Sequence, residues 1–536
     1  MPQFDVIVLG SGAAGLTAAM AAHDQGAKVG LFEKFHQVGG TTGLSGGVAW
    51  APINKFAAAA GVNDTRDEAL AYLASLSNGM LLPELAEAFV DTGPMLIDWL
   101  EASTPLRLQL VRGYPDYHPE RPGGKPRGGR SIEPMLFSFD ELGDWADRVT
   151  GAPTRMSISE TPLGGGTGHL APDEVQRRAA LGLEGCGRAL AGALLKGCLD
   201  RGIVPLVNAR AKSLILENGR VIGVRIGGSE GECDAHASRG VIIATGGFEW
   251  APDLTRDFLR GPIRNPPSLP TNTGDGLKMA MKAGARLGNM REAWWAPVAR
   301  APGVSQYGEP AVTLVLRERT LPRSIMVNRK GVRFTNEAAN YNALGAAFHQ
   351  MDVSNFEYAN QPCWVIFDAG FVELYGGFGQ PPGAPAASWI IRSETLGELA
   401  QTIGVPPDSL EATITRWNEQ VADGGDPDFG RGDSAYDGWS GDQRFHPDPA
   451  STLGPIDRGP FYAVEILASC LGTNGGPRTT VDGEVLDTDD AVIPGLFAAG
   501  NAMASPTGMV YGGAGGTLGP AMVFGFRAGR RAAMTS

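Results

Sequence analysis

Residues 4–9, FDVIVL, form an apolar run too short for a buried helix and suited to a strand covered on both faces. The Ala-rich stretch 13–25 then predicts a helix and 28–33, KVGLFE, a second strand, so the chain opens βαβ. Short strands are predicted at 201–207, 213–217 and 220–226, and 240–245, GVIIAT, reads as another buried parallel strand. Between 105 and 170 the periodicity gives way to a Gly/Pro/Arg-rich passage, including YPDYHPERPGGKPRGGR at 114–130, expected to wrap the surface as an excursion. From 297 to 455 mixed strands and helices, with a Gly/Asp/Pro stretch at 423–450, predict an inserted α+β domain. The α/β texture then returns and ends in a Gly-rich turn plus helix over 511–532. The expected division is 1–296, 297–455 and 456–536, in an α/β, Rossmann-like doubly wound fold with an inserted capping domain.

Composition narrows the function. The chain has 536 residues, too many for one compact core. Glycine, 76 of 536, is about twice the usual ~7% and follows no collagen period, which points to tight turns and close backbone approach to a ligand. A net charge of −13 supplies no footprint for nucleic acid or anionic lipid, so neither is expected as a partner. Cys186, Cys198, Cys233, Cys363 and Cys470 are scattered without metal spacing, so no metal is expected and the thiols read as reduced. No signal peptide precedes the first strand and no apolar run reaches membrane length, so a mature, cytoplasmic chain without an integral span is expected.

Gly10-Ser11-Gly12-Ala13-Ala14-Gly15 is a GxGxxG turn between strand and helix. Gly10 allows the tight turn, Gly12 the approach of a pyrophosphate, and Gly15 the packing of helix on strand. The helix N-terminus offers unpaired N–H groups and partial positive charge to phosphates. Glu33, at the end of the second strand, is placed to accept from a ribose diol.

Further segments follow in order: Gly39-Gly40-Thr41-Thr42, Ser45-Gly46-Gly47, Ala244-Thr245-Gly246-Gly247, Gly274-Asp275-Gly276 and Gly495-Leu496-Phe497-Ala498-Ala499-Gly500. This set resembles the fumarate reductase/succinate dehydrogenase flavoprotein superfamily over nearly the whole chain. The resemblance implies FAD, with the 39–47 segment along the pyrophosphate, the strand end at 244–246 under the nucleotide, and the 498–500 segment at the riboflavin. Lys34, Ala211, Gly274, Asp275 and Asn501 join the implied cofactor set, and Thr517 and Leu518 are implied backbone contacts to the pyrimidine end of the flavin. Members with covalent FAD use a histidine near the 39–47 segment; none stands there, so the expected FAD is non-covalent.

In MVNRKGVRFTNEAANYNAL, 326–344, the pattern is similar to that of fumarate reductases, but their proton-donating arginine is replaced by Tyr341. Their carboxylate-binding His gives way to the stretch Cys470-Leu471-Gly472-Thr473-Asn474, and a clamping Arg to Gly512. A dicarboxylate would lose its bidentate partners, so a neutral substrate is expected. What remains resembles the 3-ketosteroid Δ1-dehydrogenases: the turn Tyr511-Gly512-Gly513-Ala514-Gly515-Gly516-Thr517, the segment RFTNEAANY, and a tyrosine in the 114–130 excursion, Tyr117 with Tyr114 in reserve. The resemblance implies that the Tyr511 hydroxyl and Gly515 N–H polarise a ring ketone, that Tyr341 takes the α-proton with Tyr117 beside it, and that the β-carbon passes hydride to flavin N5. An ordinary tyrosine pKa of ~10 makes the base about 4 kcal/mol too weak at pH 7, so the site is expected to assist it.

Other readings stay open. Trp294-Trp295 fits an apolar wall for a flat ring or a buried aromatic pair, and His118 an exposed loop position. Gly512-Gly513-Ala514 stands where the family has Pro-Gly-Pro, which is expected to loosen the turn and reshape the pocket. A smaller cyclohexanone-type substrate stands close behind a 3-ketosteroid, and a Δ4-specific dehydrogenase, a fumarate reductase-like enzyme and an electron-carrying subunit rank lower. An external electron acceptor, quinone or dye-like, is expected; oligomeric state and regiochemistry are left open.

Overall fold

The structure is a computed structural model that describes residues 3–228 and 231–535. Its first sheet is built on four parallel strands in the order Val29–Phe32, Gln3–Leu9, Gly231–Ile243 and Val492–Ala498, with Glu484–Leu486 antiparallel at one edge. Val6, Ile7 and Val8 and their partners Val241, Ile242 and Ile243 are fully buried, which is why these runs do not alternate. The strand over 240–245 is the end of a longer one: Gly231–His236 leaves the parallel sheet to pair antiparallel with Arg220–Gly228, itself paired with Arg210–Glu217.

Residues 201–207 are not a strand. Only Leu206 bridges to Phe32, while Val204 is 56% and Leu206 46% exposed. Ile203 turns into the core while Val204 faces solvent, so the segment meets the sheet at a single bridge instead of along a ladder.

The opening helix, Ala13–His23, packs against Cys186–Asp200 and the terminal helix Leu518–Met534. The sequence permits unusual closeness: a Cβ on Gly525 or Gly529 would meet the carbonyl oxygens of Ala14 and Ala18 at 2.4 and 2.3 Å. Alanine on one helix and glycine on the other bring the backbones together, so the last residues of the chain are seated against the first turn.

The second sheet is antiparallel, in the order Glu309–Leu314, Ala293–Gln306, Phe461–Thr473, Cys363–Asp368 and Ser324–Asn328, with Ile391–Ser393 added to Phe461–Thr473. Its period-two pattern divides two cores. Ile325, Val327 and Ile366 meet the helices Leu396–Ile403 and Pro407–Ala422, whereas Met326, Val365 and Phe367 meet Phe348, Phe371 and Phe378. This sheet has residues on both sides of 297 and of 456. The fold is the α/β, FAD-binding type with an α+β cap.

The passage 105–170 is not a surface wrap throughout. Tyr114, Asp116, Tyr117, Arg130 and Glu133 are buried, because Arg130 is neutralised by Asp64 at 2.6 Å and Asp116 at 2.8 Å and the aromatics fill the seam between sheet and cap.

Candidate active site

A continuous cavity of about 370 Å³ runs from Glu33 and Lys34, across the first helix N-terminus, to the tyrosines under the cap. Of the residues assigned above to cofactor or catalysis, all line it except Gly15, Gly39 and Gly274. Those three shape it instead. A Cβ on Gly15 would sit 1.9 Å from the Gly10 carbonyl oxygen, Gly39 adopts φ +104° and donates its N–H to the Ser11 carbonyl at 3.1 Å, and Gly274, at φ +69°, starts the helix that presents Asp275.

The dinucleotide end fits FAD. Gly10, at φ +103°, turns so tightly that its Cβ would meet the Ala244 carbonyl at 2.3 Å, whereas a Cβ on Gly12 meets nothing closer than 3.7 Å and would occupy open cradle. Glu33 accepts from the Ser11 amide at 3.0 Å and hydroxyl at 2.7 Å, which fixes its carboxylate at the cavity wall. Farther out, Asp275 is held by Lys34 at 3.0 Å and Arg210 at 2.7 Å. Thr245 Oγ1, which lines the cavity, is buried without a hydrogen-bond partner, a polar atom for a ligand to satisfy.

At the far end Tyr117, Tyr341 and Tyr511 converge from three distant segments. The Tyr117 hydroxyl donates to the Tyr341 hydroxyl at 3.0 Å, and the Tyr511 ring lies 5.3 Å from Tyr117 and 5.4 Å from Tyr341 between centroids. Tyr114 lines the same chamber, its ring 5.6 Å from Trp439. Tyr436 packs edge-on against Tyr117 at 5.0 Å, a cluster member that no motif marked.

Each tyrosine is held by buried polar groups. Tyr341 follows a segment locked by Glu337, which pairs with Arg333 at 2.8 Å and Arg431 at 3.3 Å; Arg333 pairs in turn with Asp426. Asn340 then reaches the Tyr117 carbonyl at 3.4 Å and the His118 ring at 3.0 Å, tying the two tyrosine segments together. His118 therefore has a bracing contact and does not line the cavity.

The terminal turn is not loosened by its glycines. Gly512 and Gly513 lie flat on the Trp50 indole, where a Cβ on Gly513 would sit 2.5 Å away; Trp50 in turn donates to Asp116 at 2.8 Å. The Gly512 carbonyl accepts from the Tyr117 amide at 3.0 Å and the Tyr72 hydroxyl at 2.7 Å. Trp294 meets Tyr511 edge-on at 5.2 Å and donates to Asn501 at 3.0 Å, whereas Trp295 packs in a separate core, so the pair does not form one wall.

Burial pushes the Tyr341 hydroxyl well above the ordinary tyrosine range; Tyr511 adds to this and the hydrogen bond from Tyr117 works against it. Burial likewise raises Tyr117 and Tyr511. Asp116 is pushed up to about 6 by burial, with Arg130 opposing. Val48, Ile158, Leu163, Leu314, Leu316 and Leu471 complete the apolar chamber; as ordinary aliphatic residues in unrelated segments they carried no signal in the sequence. Among the described residues no cluster of metal-ligating side chains occurs, and no helix is long and apolar enough to cross a membrane.

The FAD binding domain family matches residues 5–518. The chain belongs to this family. Over 98% of its length it is 42% identical to a 4-oxocyclohexanecarboxylate 2-dehydrogenase of Sinomonas cyclohexanicum, covering 92% of that protein. It is 38% identical to a 3-oxosteroid 1-dehydrogenase of Mycolicibacterium smegmatis, covering 100% of this chain and 98% of the other. A solved 3-ketosteroid Δ1-dehydrogenase from Sterolibacterium denitrificans, in complex with 1,4-androstadiene-3,17-dione, superimposes with TM-score 0.92 at 35% identity, covering 99% of this chain and 100% of that one. This member of the FAD-binding family is an FAD-dependent oxidoreductase of the kind that acts on CH–CH groups.

Proposed function

We propose that the chain introduces a carbon–carbon double bond next to a ring ketone, with a 3-ketosteroid desaturated at its 1,2 position as the leading substrate. The observation that carries this reading is the meeting of Tyr117, Tyr341 and Tyr511 over the Gly515 turn, in a chamber otherwise lined by aliphatic side chains. FAD, bound without a covalent link, supplies the two-electron acceptor for the β-hydrogen and its electron pair. Tyr511 Oη and the Gly515 amide receive the ketone oxygen and stabilise charge developing there, which acidifies the α-carbon. Tyr341 Oη takes the α-proton, and the Tyr117 hydroxyl, already donating to it, stabilises the phenolate as it forms. Buried aromatic and aliphatic walls keep water from the enolate-like state.

Turnover would need an external electron acceptor, of quinone or dye type, to reoxidise the cofactor. The five cysteines, all unpaired, suit a reducing cytoplasm. The reading is tested by turnover of a 4-ene-3-ketosteroid with an artificial dye: the product should be two hydrogens lighter and a 1,4-dien-3-one. An unchanged steroid, alongside rapid reoxidation of the reduced enzyme by fumarate, would sink it.

A second reading, a monocyclic ring ketone, is favoured by the 4-oxocyclohexanecarboxylate 2-dehydrogenase likeness.

A further inference from the structure

Beside the tyrosine chamber lies a recess of about 20 Å³ that shares Tyr114, Leu163, Leu316 and Tyr341 with it. That is room for a small polar group and not for a ring. Arg317 lines the recess, three positions after the strand that supplies Leu314 to the chamber.

Its bonding is incomplete. Nη2 donates to the Gly441 carbonyl at 3.3 Å, while Nε is buried with no acceptor. The facing carboxylates are engaged elsewhere: Asp442 is paired with Arg444 at 2.5 Å and accepts from Tyr375 at 3.0 Å, and Glu318 accepts from the Phe378 amide at 3.2 Å. Burial lowers the pKa of Arg317 and Glu318 and Asp442 only partly offset this. The contrast with Arg333, Arg431 and Arg130, each paired with a carboxylate, is plain. A part-buried guanidinium with no carboxylate paired to it among the described residues, lining a recess beside the tyrosine chamber, is suited to a planar anion.

We propose that Arg317 receives a carboxylate carried by the ketone substrate, so that the enzyme recognises an oxo-acid whose ketone sits at Tyr511 and Gly515. This rests on the ring-ketone reading above. The neutral environment left by the lost fumarate-reductase clamp positions concerns a different part of the site, around Gly512 and 470–474, and Arg317 supplies one cation, not a dicarboxylate clamp. Tyr341 borders both spaces, so a ring presented to Tyr341 lies beside the recess.

The test compares an acid with its methyl ester on the FAD-loaded enzyme, in two pairs: 4-oxocyclohexanecarboxylate, and a 4-ene-3-ketosteroid with a side-chain carboxylate. In at least one pair wild type should show a KM for the acid about tenfold or more below that for the ester, and that pair identifies the carrier. Arg317→Met should remove the acid-to-ester preference, bringing the two KM values to within about twofold, and Arg317→Lys should restore part of it. Flavin content and Tm check that the variants fold; the wild-type comparison does not depend on them. Equal KM values within both pairs, or a preference that survives Arg317→Met, would overturn the proposal while leaving ring-ketone desaturation intact. If neither acids, esters nor neutral ketosteroids reduce the flavin, the ring-ketone reading fails and this inference with it.

Discussion

At the scale of single residues, the proposed chemistry turns on Tyr341, whose acidity burial lowers. Tyr341→Phe removes the proton acceptor without changing the ring, so kcat should fall by about 10²–10⁴-fold while the FAD spectrum is retained; near-normal turnover would exclude Tyr341 as the base. The pH dependence has a definite sign. Because the folded-state pKa of Tyr341 is raised, its deprotonated fraction grows as pH rises into the alkaline range, so kcat/KM should climb with pH and not level off below about pH 10. Tyr117→Phe deletes the hydrogen bond that lowers that pKa, so its profile should shift farther to alkaline pH. A flat wild-type profile from pH 7 to about 10 would contradict a tyrosine base. Tyr341 and Tyr511 were legible because each sits in a spaced motif. Tyr436 and Arg317 were not, since one aromatic or one arginine looks like any other until the fold sets it in the recess beside the chamber.

At the scale of elements, the last Gly-rich turn is a rigid platform. Gly515 has φ +91° and its Cβ would meet the Val48 carbonyl at 2.4 Å, so Gly515→Ala should cost at least about 1–2 kcal/mol from the left-handed backbone alone and displace the amide proposed to receive the ketone. Thermal melts and KM should both report it. Beneath the turn, Arg130 holds Asp116, and Asp116 holds Trp50. Arg130→Met leaves a buried carboxylate uncompensated, with an expected loss of about 3–5 kcal/mol. Asp116 already has its pKa raised above the unfolded value, so its charged form disfavours the fold as pH rises through about 6. Melts of the variant should therefore deteriorate from pH 5 to pH 8 more steeply than wild type, and parallel curves would refute this role for the pair. The platform could not be foreseen from glycine content, which suggests looseness; Trp50, far away in sequence, supplies the surface. Nor could 201–207 be separated from a strand, because its apolar run Ile203-Val204-Pro205-Leu206-Val207 does not show that only Leu206 bridges to the sheet.

At the scale of the whole molecule, the two ends of the chain meet on one cofactor. The GxGxxG turn, the parallel strands around it and the family match were all legible, since each depends on local spacing. The distal chamber was not, because Ile158, Leu163, Leu316 and Leu471 come together only when the α+β sheet closes over the FAD domain. A cradle spanning both should couple FAD binding to overall stability: FAD at about 100 times its Kd should add about 2.7 kcal/mol, seen as a higher Tm on reconstitution of stripped protein, and an unmoved Tm would speak against the cradle. The most direct test of the central claim is anaerobic mixing of the oxidised holoenzyme with an excess of a ring ketone, a 4-ene-3-ketosteroid or 4-oxocyclohexanecarboxylate, while flavin absorbance is followed and the organic product identified. The account predicts bleaching of the yellow flavin with formation of one equivalent of the conjugated enone per FAD, slowed by orders of magnitude in Tyr341→Phe. Flavin that stays yellow with every ring ketone, or bleaching that Tyr341→Phe leaves as fast as wild type, would contradict it.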